Sequence, residues 1–352
     1  MQTTVNAQRE DFARRQANMT SQWFENVKKA HGDVDRYIAT RHSAYLDRWR
    51  EAGRFMKDGD RVLDVGGGNL FPQLVSYFKD RGFDYHYVDI DPAAVEGSRN
   101  LLARNGFDPA HANEGFNDSF AYPDNSFDAV FSSHCIEHSI DLSATFRDLN
   151  RVIAPGGNLL MAVPFGWEEN PEHPYFFDPE QWIALVEDAG FQVRVAQVGR
   201  EYPETGHDFF VAAKKVAAPS PARIDAWAFQ KENYNFVDFR DQSIKYEGNN
   251  AVADRGAAQH LRGEDWSIHI RLPQAAHEVL PVILRHDWSG TALISNEAGD
   301  LNAVDLFSWF SYIAAPRLSG RSGKFASVDI RCSGRTAASR STEGVFYGFM
   351  WR

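Results

Sequence analysis

Two acidic side chains, each close to the end of a predicted strand, are the residues of this chain best placed to bind a ligand. Asp64 lies in the apolar run 62–65, which indicates a strand buried on both faces, and glycines occupy positions 66–68. Glycines that lead into a helix leave backbone N–H groups free and let a ligand approach the main chain. Asp89 ends the next predicted strand, 25 residues after Asp64. That separation is near the roughly 20 residues at which a nucleotide-binding βαβ unit places its ribose-binding carboxylate.

The glycine loop has two other interpretations, an ordinary turn and a nicotinamide dinucleotide site. A dinucleotide-binding loop would carry a third glycine in the pattern G-x-G-x-x-G, but Phe71 holds that position, which weakens the nicotinamide hypothesis. An acidic residue, one spacer and Gly-x-Gly, with an acid after the next strand, resemble instead the class I S-adenosylmethionine-dependent methyltransferases.

Four further blocks strengthen this resemblance, which is greatest to the quinone-ring methylating enzymes of the type 11 pattern. In the family's order they are P-D-N-S-F-D at 123–128, E-H at 137–138, R-V-x-x-P-G-G at 151–157 and A-G-F at 189–191. The resemblance covers roughly residues 35–215. It implies S-adenosylmethionine as the cofactor and S-adenosylhomocysteine as the product.

The resemblance also implies which residues bind the cofactor. Asp64, Gly66 and Gly68 would hold its methionine end, and Asp89 would accept hydrogen bonds from the ribose hydroxyls. Many relatives carry an acid for the adenine amine where this chain has Phe116, so Asn117, Asp118 or a backbone amide beside them could make that contact. The predicted cofactor-binding residues are Asp64, Gly66, Gly67, Gly68, Asp89, Ile90, Phe116, Asn117, Asp118 and Ser133.

Histidines after two later strands are the candidates for acceptor chemistry. His138 and His173 are the predicted general bases, because an unperturbed imidazole titrates close to neutral pH. His134 and Glu137 complete the predicted catalytic set. Some O-methyltransferases hold a divalent ion through an acid-x-x-Glu-His cluster at this place, but His134 replaces the first acid. We therefore favour a base and pocket wall over a metal site.

The elements that must position these residues alternate between strand and helix from residue 61 to about 215. This pattern predicts an α/β fold, a doubly wound, mostly parallel and Rossmann-like sheet; the resemblance implies seven strands. Residues 1–56 are predicted to add helices to this first domain, and their apolar stripe around Trp49 favours packing on the sheet over a lid. The methyltransferase domain is predicted at 57–216. Residues 217–352 predict a β-rich domain with the strand spacing of a sandwich.

Composition limits the partners. The formal net charge of −11 disfavours nucleic-acid binding, and the two distant cysteines indicate reduced thiols. We find neither a signal peptide nor a membrane-spanning run, and expect a cytoplasmic protein. The predicted activity is O-methylation of a small polar or saccharide-like acceptor, with a homo-oligomer through the C-terminal domain as an option. The alternative is a glycan- or partner-binding protein built on a methyltransferase-like scaffold.

Overall fold

The computed structural model describes residues 11–12, 14–15, 25, 29, 34–170, 172–199, 208–227, 231–321 and 323–352. The chain divides into two compact units. The first comprises Met1–Pro164 and Pro179–Ala228, and the second comprises Phe165–Asp178 and Phe229–Arg352. The prediction of helices before residue 34 lies mostly outside the described residues.

A seven-stranded sheet forms the centre of the first unit. Its strands are β1 (Arg61–Val65), β2 (Asp84–Asp89), β3 (Ala112–Glu114), β4 (Phe127–Ser133), β5 (Ile153–Val163), β6 (Phe191–Gly199) and β7 (Asp208–Lys215). The strand order is β3-β2-β1-β4-β5-β7-β6, and only β7 runs antiparallel to its neighbours. The mostly parallel, Rossmann-like sheet predicted from the sequence is confirmed.

The helices of the first unit follow the strands as the alternating pattern predicts. They are α1 (Val34–Ala52), α2 (Pro72–Asp80), α3 (Pro92–Arg104), α4 (Leu142–Val152), α5 (Pro179–Asp188) and α6 (Pro221–Asp225), with 3-10 turns at Gly53–Phe55, Pro109–His111 and Ile136–His138. Proline stands in the first turn of α2 and α3, where its missing N–H has no helical acceptor. Asp141 caps α4 by accepting from the N–H of Ala144 at 2.9 Å.

The apolar stripe of α1 packs on the sheet. Trp49 is completely buried, and its ring centre lies 4.2 Å from that of Phe131 on β4 and 4.7 Å from that of Phe78 on α2. Ala52 and Met56 belong to the same core. In the part of α1 that the structure describes, the stripe therefore forms core, as the favoured interpretation predicts.

A ten-stranded sheet forms the second unit. Its strands are β8 (Asn235–Asp238), β9 (Ile244–Ala253), β10 (Ala258–Ala276), β11 (Glu278–Arg285), β12 (Thr291–Asn296), β13 (Leu301–Asp305), β14 (Tyr312–Ala314), β15 (Leu318–Ser319), β16 (Phe325–Gly334) and β17 (Gly344–Trp351). All the pairings between these strands are antiparallel. The long strand β10 pairs with β17 through residues 259–261 and with β16 through residues 267–276. The C-terminal part is β-rich, as predicted, and its description as a sandwich stays a prediction.

The segment between β5 and α5 belongs to the second unit. The ring of Trp167 stacks on that of Phe236 with centres 5.4 Å apart, and the backbone N–H of Trp167 donates to the carbonyl of Ile313. The Lys231 ammonium donates to the carbonyls of Glu168 and Asn170. These contacts fix the segment within the β-rich unit.

The boundary near residue 216 also differs from the prediction. The N–H groups of Val216 and Ala217 donate to the carbonyl of Gly190, and Ile224 of α6 is completely buried in the first unit. The first unit therefore extends to Ala228. Among the residues that the structure describes, no helix is long and apolar enough to cross a membrane.

Candidate functional site

The glycine loop after β1 takes a backbone conformation that requires glycine. Gly66 and Gly68 have φ values of +72° and +58°, in the left-handed region that other residues rarely adopt. A Cβ atom on Gly66 would lie 2.3 Å from the Sγ of Cys135. The N–H of Gly66 donates to the carbonyl of Val88 at 2.8 Å, so the loop begins in register with β2. The backbone here can face a ligand without an intervening side chain.

Asp89 is held in one orientation at the end of β2. Its Oδ2 accepts from the N–H of Gly68 at 3.0 Å, and its Oδ1 accepts from the N–H of Asp91 at 2.9 Å. Tyr87 supports the same loop by donating from its hydroxyl to the carbonyl of Gly68 at 2.7 Å. Burial raises the pKa of Asp89, while the two backbone N–H groups lower it. A carboxylate oxygen with one bond made keeps a second lone pair for a hydroxyl donor.

Asp64 lies behind the glycine loop and is completely buried. The hydroxyl of Tyr85 donates to its Oδ2 at 2.7 Å, and a Cβ on Gly67 would lie 2.5 Å from the same oxygen. Burial raises the pKa of Asp64 to about 7, more than the Tyr85 hydroxyl lowers it. The carboxyl group therefore titrates near neutral pH, next to the loop that Gly67 shapes.

A cavity of about 440 Å³ opens at the carboxyl ends of β1, β2, β3 and β4. Of the residues predicted to bind a cofactor or act in catalysis, the following line it: Gly66, Gly68, Asp89, Ile90, Phe116, Asn117, His134 and His138. Five predicted residues of the first unit are not on its wall: Asp64, Gly67, Asp118, Ser133 and Glu137. Open α/β sheets bind ligands at this edge.

The loop after β3 forms one wall. Phe116 is half-buried. The Asn117 side chain is held by the protein: its Nδ2 donates to the hydroxyl of Ser139 at 3.0 Å, and its Oδ1 accepts from that of Thr145 at 3.4 Å. Asp118 accepts from the hydroxyl of Ser119 at 3.1 Å. Asn117 thus joins the loops after β3 and β4.

The histidines after β4 line the same cavity. His134 has a φ of +51°, a strained conformation for a residue with a Cβ, and its N–H donates to the carbonyl of Ala162 at 2.9 Å. Glu137 is 1% exposed, and its Oε1 lies 3.5 Å from Nδ1 of His134 and 3.9 Å from Nε2 of His138. Neither Glu137 oxygen accepts a hydrogen bond from any residue that the structure describes. A buried carboxylate beside two imidazoles stabilises a positive charge on either ring.

His173 belongs to the second unit, where its Nδ1 pairs with the Glu168 carboxylate. Its predicted role as a base stays a prediction.

Sequence reasoning missed much of the cavity wall. The remaining lining residues are Phe12, Arg14, Val65, Asn69, Val88, Asp91, Pro92, Ala94, Glu114, Gly115, Cys135 and Ile140. Many of these residues lie within two positions of a predicted residue. The ends of β1, β2, β3 and β4 are therefore the sequence feature from which they could have been predicted. Nothing in the local pattern indicates Phe12 or Arg14.

Comparison with known proteins supports the resemblance to methyltransferases. Residues 35–195 match a family model described as a methyltransferase domain. A phosphoethanolamine N-methyltransferase of Arabidopsis thaliana is 29% identical over 40% of this chain and 30% of its own length. A ubiquinone/menaquinone biosynthesis C-methyltransferase of Vibrio campbellii is 31% identical over 30% of this chain and 41% of its own length. The chain thus spans less than half of these relatives.

Solved structures of similar proteins include a SAM-dependent methyltransferase from Aquifex aeolicus. It is 23% identical, covers 55% of this chain and 98% of its own, and has a TM-score of 0.42. The family match covers residues 35–195, just under half of the chain, and this part of the chain is similar to methyltransferase domains. The second unit lies largely outside the match.

Proposed function

We propose that this protein is an S-adenosylmethionine-dependent methyltransferase that methylates an oxygen atom of a small polar or saccharide-like acceptor. The observation that supports it is one cavity that carries both the glycine loop and two imidazoles, His134 and His138, with the buried Glu137 behind them. The acceptor class is our inference, because relatives are named for phosphoethanolamine N-methylation and quinone C-methylation.

In this proposal, the cofactor-binding site is the part of the cavity around β1 and β2. S-adenosylmethionine supplies a methyl group on a positively charged sulfur. The conformation of Gly66 and Gly68 lets it approach the backbone, and Asp89 can accept from its ribose hydroxyls. Asp91 and Glu114 also line the cavity, and this acidic wall suits a cationic ligand. The residues present therefore fit the group that the family implies.

The imidazoles provide the proton acceptor that a hydroxyl acceptor needs. A hydroxyl is a weak nucleophile until a base takes its proton, and base catalysis typically contributes about 10²–10⁴-fold. We assign the base to His138, whose Nε2 lies 3.9 Å from Oε1 of the buried Glu137 carboxylate. Glu137 would compensate the charge of the imidazolium as it forms.

The first test is cofactor binding by isothermal titration calorimetry. S-adenosylmethionine and S-adenosylhomocysteine should bind with micromolar-scale affinity. Heat from a nicotinamide dinucleotide and none from these two ligands would make the proposal wrong.

The second test is turnover, followed as transfer of isotope-labelled methyl to phenols, saccharides and phosphoethanolamine. His138→Ala should lower turnover by about 10²–10⁴-fold and leave the cofactor Kd nearly unchanged. The matched control is His269→Ala, which removes an exposed histidine of the second unit.

A chelator should have no effect on turnover. Loss of turnover on chelation, restored by a divalent ion, would assign the cluster to a metal. Labelling of phosphoethanolamine alone would move the acceptor from oxygen to nitrogen, and binding without any turnover would favour a ligand-binding protein.

A further inference from the structure

A group of metal-ligating side chains lies in the first unit, away from the cavity. It comprises Asp84 and His86 on β2 and His111 in the turn before β3. Asp84 begins β2 and the cavity residue Asp89 ends it. At about 3.3 Å per residue, the two ends of this strand lie about 16 Å apart. The group is therefore separate from the cofactor site.

The donor atoms of this group have the spacing of metal ligands. Oδ1 of Asp84 lies 3.4 Å from Nε2 of His86 and 3.5 Å from Nδ1 of His111. Hydrogen bonds between nitrogen and oxygen are shorter, about 2.7–3.2 Å. The exposed pair of His269 and Asp329 is an example, at 2.8 Å. In a tetrahedral zinc site with metal–donor distances of about 2.1 Å, neighbouring donors lie about 3.4 Å apart. The carboxylate and the two imidazoles match that separation.

His86 is the buried member of the group. Its side chain is 5% exposed and makes T-shaped contacts with the rings of Tyr122 and Phe127. Burying a polar ring in such surroundings costs free energy unless its nitrogens are bound. Nδ1 of this ring has no hydrogen-bond partner among the residues that the structure describes. Burial also lowers the pKa of His86, which keeps the imidazole neutral, the form that binds a metal.

Arg61 supplies a positive charge at this group. Its Nε donates to Nε2 of His86 at 3.1 Å and lies 3.3 Å from Oδ2 of Asp84. The Arg61 side chain is 41% exposed, so it can turn to solvent and give up both contacts. A divalent cation at the same place carries twice the charge. It therefore competes with the guanidinium for the same two acceptors.

Metal binding requires one adjustment, at His111. The rings of His86 and His111 are stacked, with centres 3.7 Å apart and planes 18° apart. The lone pair of an imidazole nitrogen lies in the plane of the ring, so a shared ion requires the His111 ring to tilt. This ring is 28% exposed, and the tilt exchanges a contact of 3.2 Å between Nδ1 and the Tyr85 carbonyl for a metal bond. Nε2, which lies 4.0 Å from the Asp108 carboxylate, then carries the proton, as is usual for metal-binding histidines.

We propose that Asp84, His86 and His111 bind a divalent transition-metal ion. Zn²⁺ is the expected ion, because it accepts imidazole and carboxylate ligands in a tetrahedral arrangement, with water as the fourth ligand. The ion ties β2 to the turn before β3, a strand of three residues at the edge of the sheet. It stabilises this edge and takes no part in methyl transfer, so the proposal does not depend on the proposed function.

The test is Zn²⁺ binding by the full chain after treatment with a chelator and its removal. Titration calorimetry gives the affinity, and thermal melting gives the change in Tm. Zn²⁺ should bind and raise the Tm, because the three ligands come together only in the folded protein. Mg²⁺ prefers oxygen ligands and should have neither effect.

Variants at the surface assign the ion to this group without disturbing the buried His86. His111→Ala and Asp84→Asn should each weaken Zn²⁺ binding at least about tenfold, since even residues behind metal ligands change the affinity by roughly 10–100-fold. Arg61→Met should strengthen binding, because it removes the competing charge. The matched control is His269→Ala, which removes a histidine from an exposed pair with one carboxylate. Its affinity for Zn²⁺ should equal that of the wild type.

Three outcomes would overturn the proposal. They are no Zn²⁺ binding by the wild type, an affinity that neither His111→Ala nor Asp84→Asn changes, and an affinity lost in His138→Ala instead. The last result would place the ion at the histidines of the cavity. Weaker binding by Arg61→Met than by the wild type would also contradict the proposal, because the guanidinium would then support the ion rather than compete with it.

Discussion

Asp64 should make the stability of the first unit depend on pH in a direction opposite to that of most carboxylates. Burial raises its pKa to about 7 from an ordinary value of 3.8. The folded state therefore holds a proton that the unfolded state has released, and the stabilisation present at low pH is lost as the pH rises through 7. At 1.36 kcal/mol per unit, the full shift corresponds to about 4 kcal/mol, of which about 3 kcal/mol falls between pH 5 and pH 8.

Asp64→Asn removes this titration while keeping the size of the side chain. Hydrogen exchange of the amides of β1, measured by mass spectrometry without cofactor, gives an opening free energy for the first unit. Between pH 5 and pH 8 the opening free energy of the wild type should fall by about 3 kcal/mol more than that of Asp64→Asn. Taking the difference between the two proteins cancels other groups, including His86, whose pKa burial lowers to about 4. If the opening free energies of the two proteins change with pH in the same way, Asp64 is ionised in the folded protein and burial does not dominate its charge state.

Two further predictions concern the loop and the extent of the first unit. Gly66→Ala should lower stability by about 1–3 kcal/mol and weaken S-adenosylhomocysteine binding, because its Cβ would meet Cys135 at a φ of +72°. A thermal melt and a titration check this, and an unchanged Tm would contradict it. Ile224→Ala should destabilise the first unit by about 2–4 kcal/mol and increase hydrogen exchange in α4, because Ile224 is completely buried. Unchanged exchange there would place α6 outside the first unit.

The sequence predicted the sheet of the first unit because its signals are local. The apolar run before Gly66, the acid at position 89 and the Pro-Asp-Asn-Ser turn before β4 each determine structure within a few residues. The Pro-Gly-Gly sequence at 155–157 lies within a strand: β5 begins at Ile153 and runs through it, with Gly156 at a φ of +78°. A glycine in the left-handed region can sit in an irregular stretch of strand as well as end it.

The parts of the site that could not be predicted depend on contacts between distant residues. The three-residue strand β3 is too short to show a period, so nothing in the sequence pairs Glu114 with Asp89. Cys135 contacts Gly66 across 69 positions of the chain. The environment that raises the pKa of Asp64 also comes from separate elements, among them Tyr85 on β2. Such proximities become visible only when the register of the strands is known.

The division into units shows the same limit on a larger scale. Sequence patterns predicted one domain boundary after residue 216, but such patterns cannot detect that a segment leaves one unit and returns to it. The aromatic run at 175–177 would suit the core of either unit, and its assignment depends on distant partners such as Tyr234, whose ring contacts that of Phe176. Because the second unit takes two separate pieces of chain, a single cut after residue 216 would remove α6 from the first unit. The same cut would leave residues 165–178 without the partners that pack against them. Tests of what the second unit does are therefore better made with substitutions in the full chain.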